Sequence, residues 1–478
     1  MSILASLAVM VAVAASSGCS SKPPADTSAE GGNGCGGLFS CQSADGGTNS
    51  GALVPGHFCF PNGACQMSCG GSSTNLVGTV YDPAAKNGTG IANPLYGVVV
   101  YVPAEKPGPL PQGASCASCA ALYPAHSVTY AITDAKGQFV LKDVPAGPDV
   151  PLVVQVGKWR KQYTLKNVVA CKDNVPDSVL RLPGNGGEGD LPNIAISTGG
   201  LDSLECLLSR IGVDASEYSG GPSGSGHIHI FAGAGSAPAP NTSPAGPLSP
   251  TALWTSKDAM MPYDLVLLSC EGGETTNMNQ QALYDYANAG GRVFASHFHY
   301  SWFDSGPFAP FNLATWKVGS NDIGTVNANI ATMTSTGAPF PRGQAMKDWL
   351  TDRGALTNGE LPIQQARHNA DVSAANVKST VWISADQNAQ APNATEYFSF
   401  ETPLGGPSSE MLCGRVVYSD LHVGAASNDY GGSIATGVVP SGCGNRALSP
   451  QEKALEFMLF DLSGCVAPPN TVPPPPPQ

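Results

Sequence analysis

Between Tyr263 and Cys270 the chain reads Tyr-Asp-Leu-Val-Leu-Leu-Ser-Cys, with apolar side chains at four consecutive positions. Neighbouring side chains on a strand point to opposite faces, so such a run has to be covered on both sides. An open parallel sheet flanked by helices supplies that cover. The surrounding sequence alternates accordingly. Strand patterns fall at 193–198, 227–231, 292–296, 381–384, 397–401 and 415–420. Helical spacing falls between them. Leu204, Leu207, Leu208 and Ile211 recur at the helical period within 201–211, and Leu283, Tyr286 and Ala287 mark one face of 279–289. A last helix is expected over 450–462, where Ser449 and Glu452 have the spacing of a capping box. Residues 190–466 therefore read as an α/β domain with a mostly parallel sheet.

Residues 73–183 read differently. Short strand patterns at 76–81, 96–102, 128–133, 138–142, 151–156 and 162–165 are separated by Gly, Pro and Asp turns, which fits an all-β sandwich. Within it, Asp134 is expected to open a turn, Gly137 to supply its positive φ and Phe139 to return to the core. The basic aromatic stretch Gly157-Lys158-Trp159-Arg160-Lys161 reads either as a hairpin with a packed Trp or as a contact surface for a glycan or an acidic partner.

Charged residues make up only 12% of the 478 positions, and the formal net charge is −13. Phosphate neutralisation supplies most nucleic-acid affinity, and this chain has no cation excess to provide it. Residues 3–15 form an apolar run too short to span a bilayer, which takes about 20 residues, but suited to a signal-peptide core. Ser16-Ser17-Gly18-Cys19 follows and resembles a bacterial lipobox, in which the Cys becomes the lipidated first residue of the mature chain. Residues 1–19 are thus a signal peptide with its lipidation site. Ser20 and Ser21, with no Asp, point to the outer membrane.

Export places the remaining cysteines in an oxidising compartment. Residues 20–72 are a Gly-rich linker in which Cys35, Cys41, Cys59, Cys65 and Cys69 are expected to form disulfide staples, with zinc as the competing reading of Cys65-x3-Cys69. Cys171 is expected to bond Cys116 or Cys119, and Cys443 and Cys465 are further candidates. The linker group and the 73–183 group each hold an odd number of thiols, so a free thiol or a bridge between zones follows. Residues 467–478 close in a proline run expected to form a polyproline II tail.

Two family resemblances follow from these segments. Val77-Gly78-Thr79-Val80-Tyr81-Asp82, Gly97-Val98-Val99-Val100, Thr133-Asp134-Ala135-Lys136-Gly137-Gln138-Phe139 and Val144-Pro145-Ala146-Gly147 resemble the carboxypeptidase regulatory-like (transthyretin-like) domain. That resemblance implies a structural or binding module without catalytic residues of its own. Tyr263–Leu268, Gly272-Gly273, Tyr286-Ala287-Asn288-Ala289-Gly290-Gly291-Arg292-Val293 and Gly414–His422 resemble the class I glutamine amidotransferase-like fold, especially its trehalose-utilisation-type relatives. It implies a flavodoxin-like sheet. Together the two modules resemble a group of secreted myxobacterial lipoproteins.

Ligands of open α/β sheets bind at the carboxyl ends of the strands. Three such ends carry reactive groups: Cys270-Glu271, Ser296-His297-Phe298-His299 and Asp420-Leu421-His422. The amidotransferase resemblance implies a nucleophilic Cys on a glycine-flanked turn and a His with an acid two residues on. Here the turn 295–299 has neither Cys nor Gly, and His422 is followed by Val423 and Gly424, so that triad does not carry over. A different hydrolase site remains open, with Cys270 or Ser296 as nucleophile and His297 or His422 as base. Each His-x-His pair, His227/His229 and His297/His299, puts two imidazoles on one face if it lies on a strand, so His297, His299 and Asp420 are candidate ligands of a divalent metal. The aromatic cluster Phe298, Tyr300, Trp302, Phe303, Phe308 and Phe311 reads as core or lid, suited to stacking on a sugar if exposed. The leading expectation is an exported lipoprotein that binds a glycan or an envelope protein. The alternative is a hydrolase acting on carbohydrate or amide substrates.

Overall fold

The computed structural model of the protein describes residues 58–87, 92–116, 122–123, 126–233, 249–405, 412–423, 443 and 446–467. The expectations for Cys19, Cys35, Cys41, Cys119 and the proline run concern positions outside them.

Residues 73–183 build two four-stranded sheets. In one, Asn75–Tyr81 lies antiparallel to Gln138–Leu141 and parallel to the short strands Asp173–Asn174 and Leu180–Arg181. The other runs Ser127–Ile132, Val99–Pro103, Gly147–Val156, Trp159–Val168, all antiparallel. Alternation along the strands sorts the side chains. Val100, Val102, Leu152 and Val154 enter the main core with Leu76, Val80, Phe139 and Leu141 of the first sheet. Val99, Tyr101 and Val153 face the other way and form a small cluster with Tyr123. The expected turn is present: Asp134 Oδ1 accepts the backbone N–H groups of Lys136 at 2.8 Å and Gln138 at 2.9 Å, and Gly137 has φ +69°. A Cβ at Gly137 would lie 2.5 Å from Pro94 Cβ, so no side chain fits there.

Residues beyond 190 form a ten-stranded sheet. Six neighbouring strands are parallel, in the order Tyr218–Gly220, Ile228–Phe231, Ile194–Ser197, Leu265–Leu268, Arg292–Ser296, Gly414–Ser419. Four antiparallel strands extend it: Thr395–Thr402, Ser379–Ala385, Asp322–Ile330 and Leu361–Arg367. The sheet is thus mixed, which corrects the mostly parallel expectation. The physical reason is visible in Asp322–Ile330, whose side chains largely alternate between buried and exposed as in an antiparallel strand wetted on one face. The order of the parallel half also differs from the flavodoxin arrangement, since the third strand in sequence, not the second, lies beside the first.

All described residues belong to one compact unit, and the helix Pro450–Ser463 joins its parts. Its start is the expected capping box: Ser449 Oγ accepts the Glu452 N–H at 3.3 Å, and Glu452 Oε2 accepts the Ser449 N–H at 2.8 Å. Phe457 stacks on Tyr96 with ring centroids 5.6 Å apart, and Phe460 meets the fully buried Trp159 edge-on at 5.8 Å. Lys158 pairs with Asp264 and donates to the Gly113 carbonyl at 2.7 Å, while Arg160 pairs with Asp190 at 2.8 Å. The 157–161 stretch is therefore an internal seam, and its reading as a glycan-contact surface is not supported.

Four disulfides lie among the described residues: Cys59–Cys65, Cys69–Cys171, Cys116–Cys413 and Cys206–Cys443. Cys465 is also disulfide-bonded. The expected bond from Cys171 to Cys116 or Cys119 is corrected. Asp173–Asn174 pairs with the start of Asn75–Tyr81, which carries Cys171 to Cys69. Cys116 bonds Cys413 because its segment crosses to the large sheet, where the Ala114 N–H donates to the Met261 carbonyl at 2.8 Å. Both are bridges between sequence zones, one of the two outcomes that the odd thiol counts left open.

Candidate functional site

In the parallel half of the sheet the order of strand addition reverses between Ile194–Ser197 and Leu265–Leu268. Successive strands are added on one side of the first and then on the other. At such a switch point the loops leaving the strands part and open a crevice. Cys270 follows Leu265–Leu268 at this point. Its carbonyl would lie 2.0 Å from a Cβ on Gly199, so only glycine admits this approach of the two strand ends. Arg292–Ser296 and Gly414–Ser419 end level with it, Ser296 opposite Ser419. His297 leaves its strand with φ +46° and opens the short helical turn His297–Trp302. That left-handed corner swings its imidazole across to Cys270. His422 arrives from two residues past Asp420.

The three strand ends picked out by the sequence therefore converge. Donor atoms of Cys270, His297 and His422 all lie within 4.8 Å of one another, and all three residues are buried. Cys270 Sγ is 3.2 Å from His297 Nδ1. His297 Nε2 lies 3.1 Å from the Ser320 carbonyl, which can only accept, so Nε2 carries the proton and Nδ1 presents a lone pair to the thiol. By the same logic His422 Nδ1–H donates to the Gln365 carbonyl at 3.2 Å. Its Nε2 is buried and has no hydrogen-bond partner. The two rings meet edge to face at 5.0 Å. Burial, reinforced by the nearby Asp202 carboxylate, pushes the Cys270 thiol up to about 12. Burial, then the neighbouring His422 and Arg367, pushes His297 down to about 2, and burial with Arg367 lowers His422 to about 4. At neutral pH the group holds a thiol and two neutral imidazoles.

Other expected residues stand elsewhere. Ser296 Oγ donates to Asp202 Oδ2 at 2.7 Å, and Asp202 Oδ1 accepts the Val423 N–H at 2.6 Å. Ser296 is thus tied to a carboxyl and not to an imidazole base. Asp202 was not visible as a site residue in the sequence; its position just past the Gly199-Gly200 strand end was the available signal. The proposed metal set His297, His299 and Asp420 is not brought together. The i, i+2 rule needs a strand, and the chain has already turned at 297. His299 Nδ1 bonds the Ser296 carbonyl at 2.9 Å, and Asp420 is occupied by the Tyr418 hydroxyl at 2.8 Å and the Asn369 N–H at 2.9 Å. His227 pairs with Glu217, while His229 bonds the Tyr263 hydroxyl at 2.9 Å and the Gly226 carbonyl at 3.1 Å. Tyr300, Trp302, Phe303 and Phe308 are core residues, so they offer no platform to a sugar.

No protein-family model matches the chain, and no curated protein matches it. Two solved structures show a limited similarity. One is an N-terminal interface mutant of a type II cohesin–X-dockerin complex from Acetivibrio cellulolyticus, 16% identical, covering 30% of this chain and 85% of that one, with a TM-score of 0.16. The other is the corresponding C-terminal interface mutant, 16% identical, covering 32% and 78%, with a TM-score of 0.15. Superpositions at that level carry no argument about fold or function.

The disulfides fit an oxidising compartment. Among the described residues no helix is long and apolar enough to cross a membrane. Cys270 is the free thiol among those residues, and it sits in the one cluster there with metal-ligand geometry.

Proposed function

We propose that this chain is an exported cell-envelope lipoprotein, anchored through Cys19, whose β-sandwich and amidotransferase-like domain act together as a binding or structural module. One observation carries the choice of binding over cysteine hydrolysis: Cys270, His297 and His422 are all buried, and burial disfavours both the thiolate and the imidazolium that a cysteine–histidine pair would use. A cysteine nucleophile needs its thiolate, and neighbouring cations or a base have to lower its pKa. Here the shifts run the other way. The buried seam and the Cys116–Cys413 bridge fix the two domains to each other, as suits a scaffold. An envelope protein is the partner class this reading favours, because Tyr300, Trp302, Phe303 and Phe308 are buried in the core and Trp159 is packed inside the seam.

Alkylation tests it. With EDTA present at pH 8, iodoacetamide is expected to modify Cys270 of the native full chain at least about a thousand-fold more slowly than a free cysteine peptide. Peptide mass spectrometry resolves the site, and denaturant restores labelling. Modification at or above the free-cysteine rate would overturn this choice and favour the alternative, a hydrolase in which His297 takes the Cys270 proton across the 3.2 Å contact. For the anchor, labelled palmitate is expected to enter the wild-type chain in a bacterial host and to be lost in Cys19→Ser. Equal incorporation in the variant refutes the lipidation site.

A further inference from the structure

We infer that Cys270, His297 and His422 form a binding site for a zinc ion. The inference deepens the binding-module reading by naming what its centre holds, and it depends on neither export nor lipidation.

The argument is geometric. A thiolate binds zinc at about 2.3 Å and an imidazole at about 2.0–2.1 Å, so tetrahedral donors stand about 3.3–3.6 Å apart. Cys270 Sγ and His297 Nδ1 are 3.2 Å apart, and the full set of three donors lies within 4.8 Å. Closing the set onto an ion takes a contraction of about 1 Å. The imidazoles are also oriented as metal ligands are. A ligating His almost always donates its outer N–H to a carbonyl or carboxylate, which fixes the tautomer and turns the other nitrogen inward. His297 does so through Ser320 and His422 through Gln365. Gln365 itself holds φ +54°, a left-handed conformation costly for a residue with a side chain. It sits in the strand Leu361–Arg367, whose carbonyl meets His422.

The second, independent observation is the orphaned nitrogen. His422 Nε2 is buried and lacks any hydrogen-bond partner. Leaving a buried polar atom unpaired is costly, and a metal ion would take up this lone pair. His299, bonded through Nδ1 to the Ser296 carbonyl, also has a buried Nε2 without a partner, but among the described residues only His422 combines such a nitrogen with a thiol and a second imidazole within ligand reach.

One soft and two borderline donors suit zinc. Three protein ligands leave a fourth position for water or an incoming donor. Binding is balanced simply. The Cys270 S–H bond breaks, its proton passes to buffer, and a zinc–sulfur bond forms; the two imidazoles contribute lone pairs already free. One proton is released per ion.

Cobalt(II) reports on such a site because a cysteine ligand gives it thiolate-to-metal charge-transfer absorption. Titration of the full chain with Co2+ alone is expected to reach that absorption at one equivalent, together with the intense visible bands of a four-coordinate ion. Added Zn2+ is expected to bleach both. Cys270→Ser is expected to abolish the charge-transfer band, and His422→Gln to weaken cobalt affinity at least about tenfold while Gln can still donate to the Gln365 carbonyl. The inference is overturned if the wild-type chain shows no thiolate–cobalt band at millimolar cobalt, or if Cys270→Ser keeps the band. Both readouts use chains whose folding circular dichroism can check, so an unfolded His422 variant leaves the test intact. Failure of cobalt binding leaves the alkylation result standing. Fast alkylation in EDTA with normal cobalt binding overturns only the choice of binding over hydrolysis.

Discussion

Asp461→Asn is expected to cost about 3–5 kcal/mol of stability, the usual penalty for breaking a buried ion pair from one side. Asp461 projects from the helix Pro450–Ser463 between two guanidinium groups. Its Oδ1 accepts from Arg342 Nε at 2.9 Å, and its Oδ2 accepts from Arg342 and from Arg415 Nη1 at 2.7 Å. Both arginines are buried and the Asp461 side chain is only 8% exposed, so the guanidinium groups cannot turn to water. Their two positive charges hold the Asp461 carboxyl below the usual range against the opposing effect of burial. In the variant, Arg415 retains Glu401 at 3.2 Å, but Arg342 loses its carboxylate. A unit of this size has a large unfolding entropy, so the loss appears as a fall in melting temperature of only about 5 °C, and urea titration is the more sensitive measure. A loss below about 1 kcal/mol would mean that the triad is solvated and contributes little.

Glu456→Gln, about one turn earlier on the same helix, is expected to act in the opposite sense and only at higher pH. Glu456 Oε2 accepts from Asn93 Nδ2 at 2.8 Å and meets Asp82, whose oxygens also accept the Asn93 N–H at 3.0 Å and the Ala84 N–H at 3.1 Å. Burial pushes Asp82 up to about 7 and Glu456 well above the carboxylate range; Asp82 raises Glu456 further, while the hydrogen bond from Glu456 partly lowers Asp82. The folded chain therefore keeps protons that the unfolded chain has released. With more protons bound in the folded state, stability falls as pH rises. For Asp82 the loss begins near its unfolded value of 3.8 and is complete above about 7; for Glu456 it continues higher. A glutamine keeps the acceptor for Asn93 and supplies a permanent donor to Asp82 with no proton to lose. The variant is expected to melt about 4 °C above wild type at pH 8 and within a degree of it at pH 5. Parallel pH profiles for the two proteins would show that the pair does not share a proton.

How much of this was legible in the sequence depended on where tertiary contacts override local pattern. The capping box at Ser449 and Glu452 and the apolar face of Leu204, Leu207 and Leu208 are local devices and were readable. So was the turn at Asp134. The strand Asp322–Ile330 was not, because Gly324 breaks its register and its exposed positions carry small and polar side chains. The helix Pro341–Asp352 was missed as well. Its buried face rests on Ala345, Met346, Trp349 and Leu350, with Arg342 buried alongside, and a buried arginine reads as surface until its carboxylate is known. At the site, the rule for open sheets named the three strand ends that the fold brings together. It could not foresee that His297 would adopt a left-handed corner. That single dihedral separated His297 from His299 and gave it to Cys270. Nor could Ser320 or Gln365 be chosen in advance, since they contribute only main-chain carbonyls.

The helix Pro450–Ser463 has a consequence for how such a molecule is made. The aromatic side chains that finish the two-sheet core, Phe457 on Tyr96 and Phe460 on Trp159, come from more than 300 residues downstream of the residues they cover. Until that last helix has been delivered, Trp159 has an open apolar flank and Asp82 has no partner carboxyl. A chain synthesised N-terminus first would thus hold its early strands in a waiting state. Final docking of the helix would be a timing step that completes both halves together, and a growing chain would be most exposed to proteases and to self-association just before it.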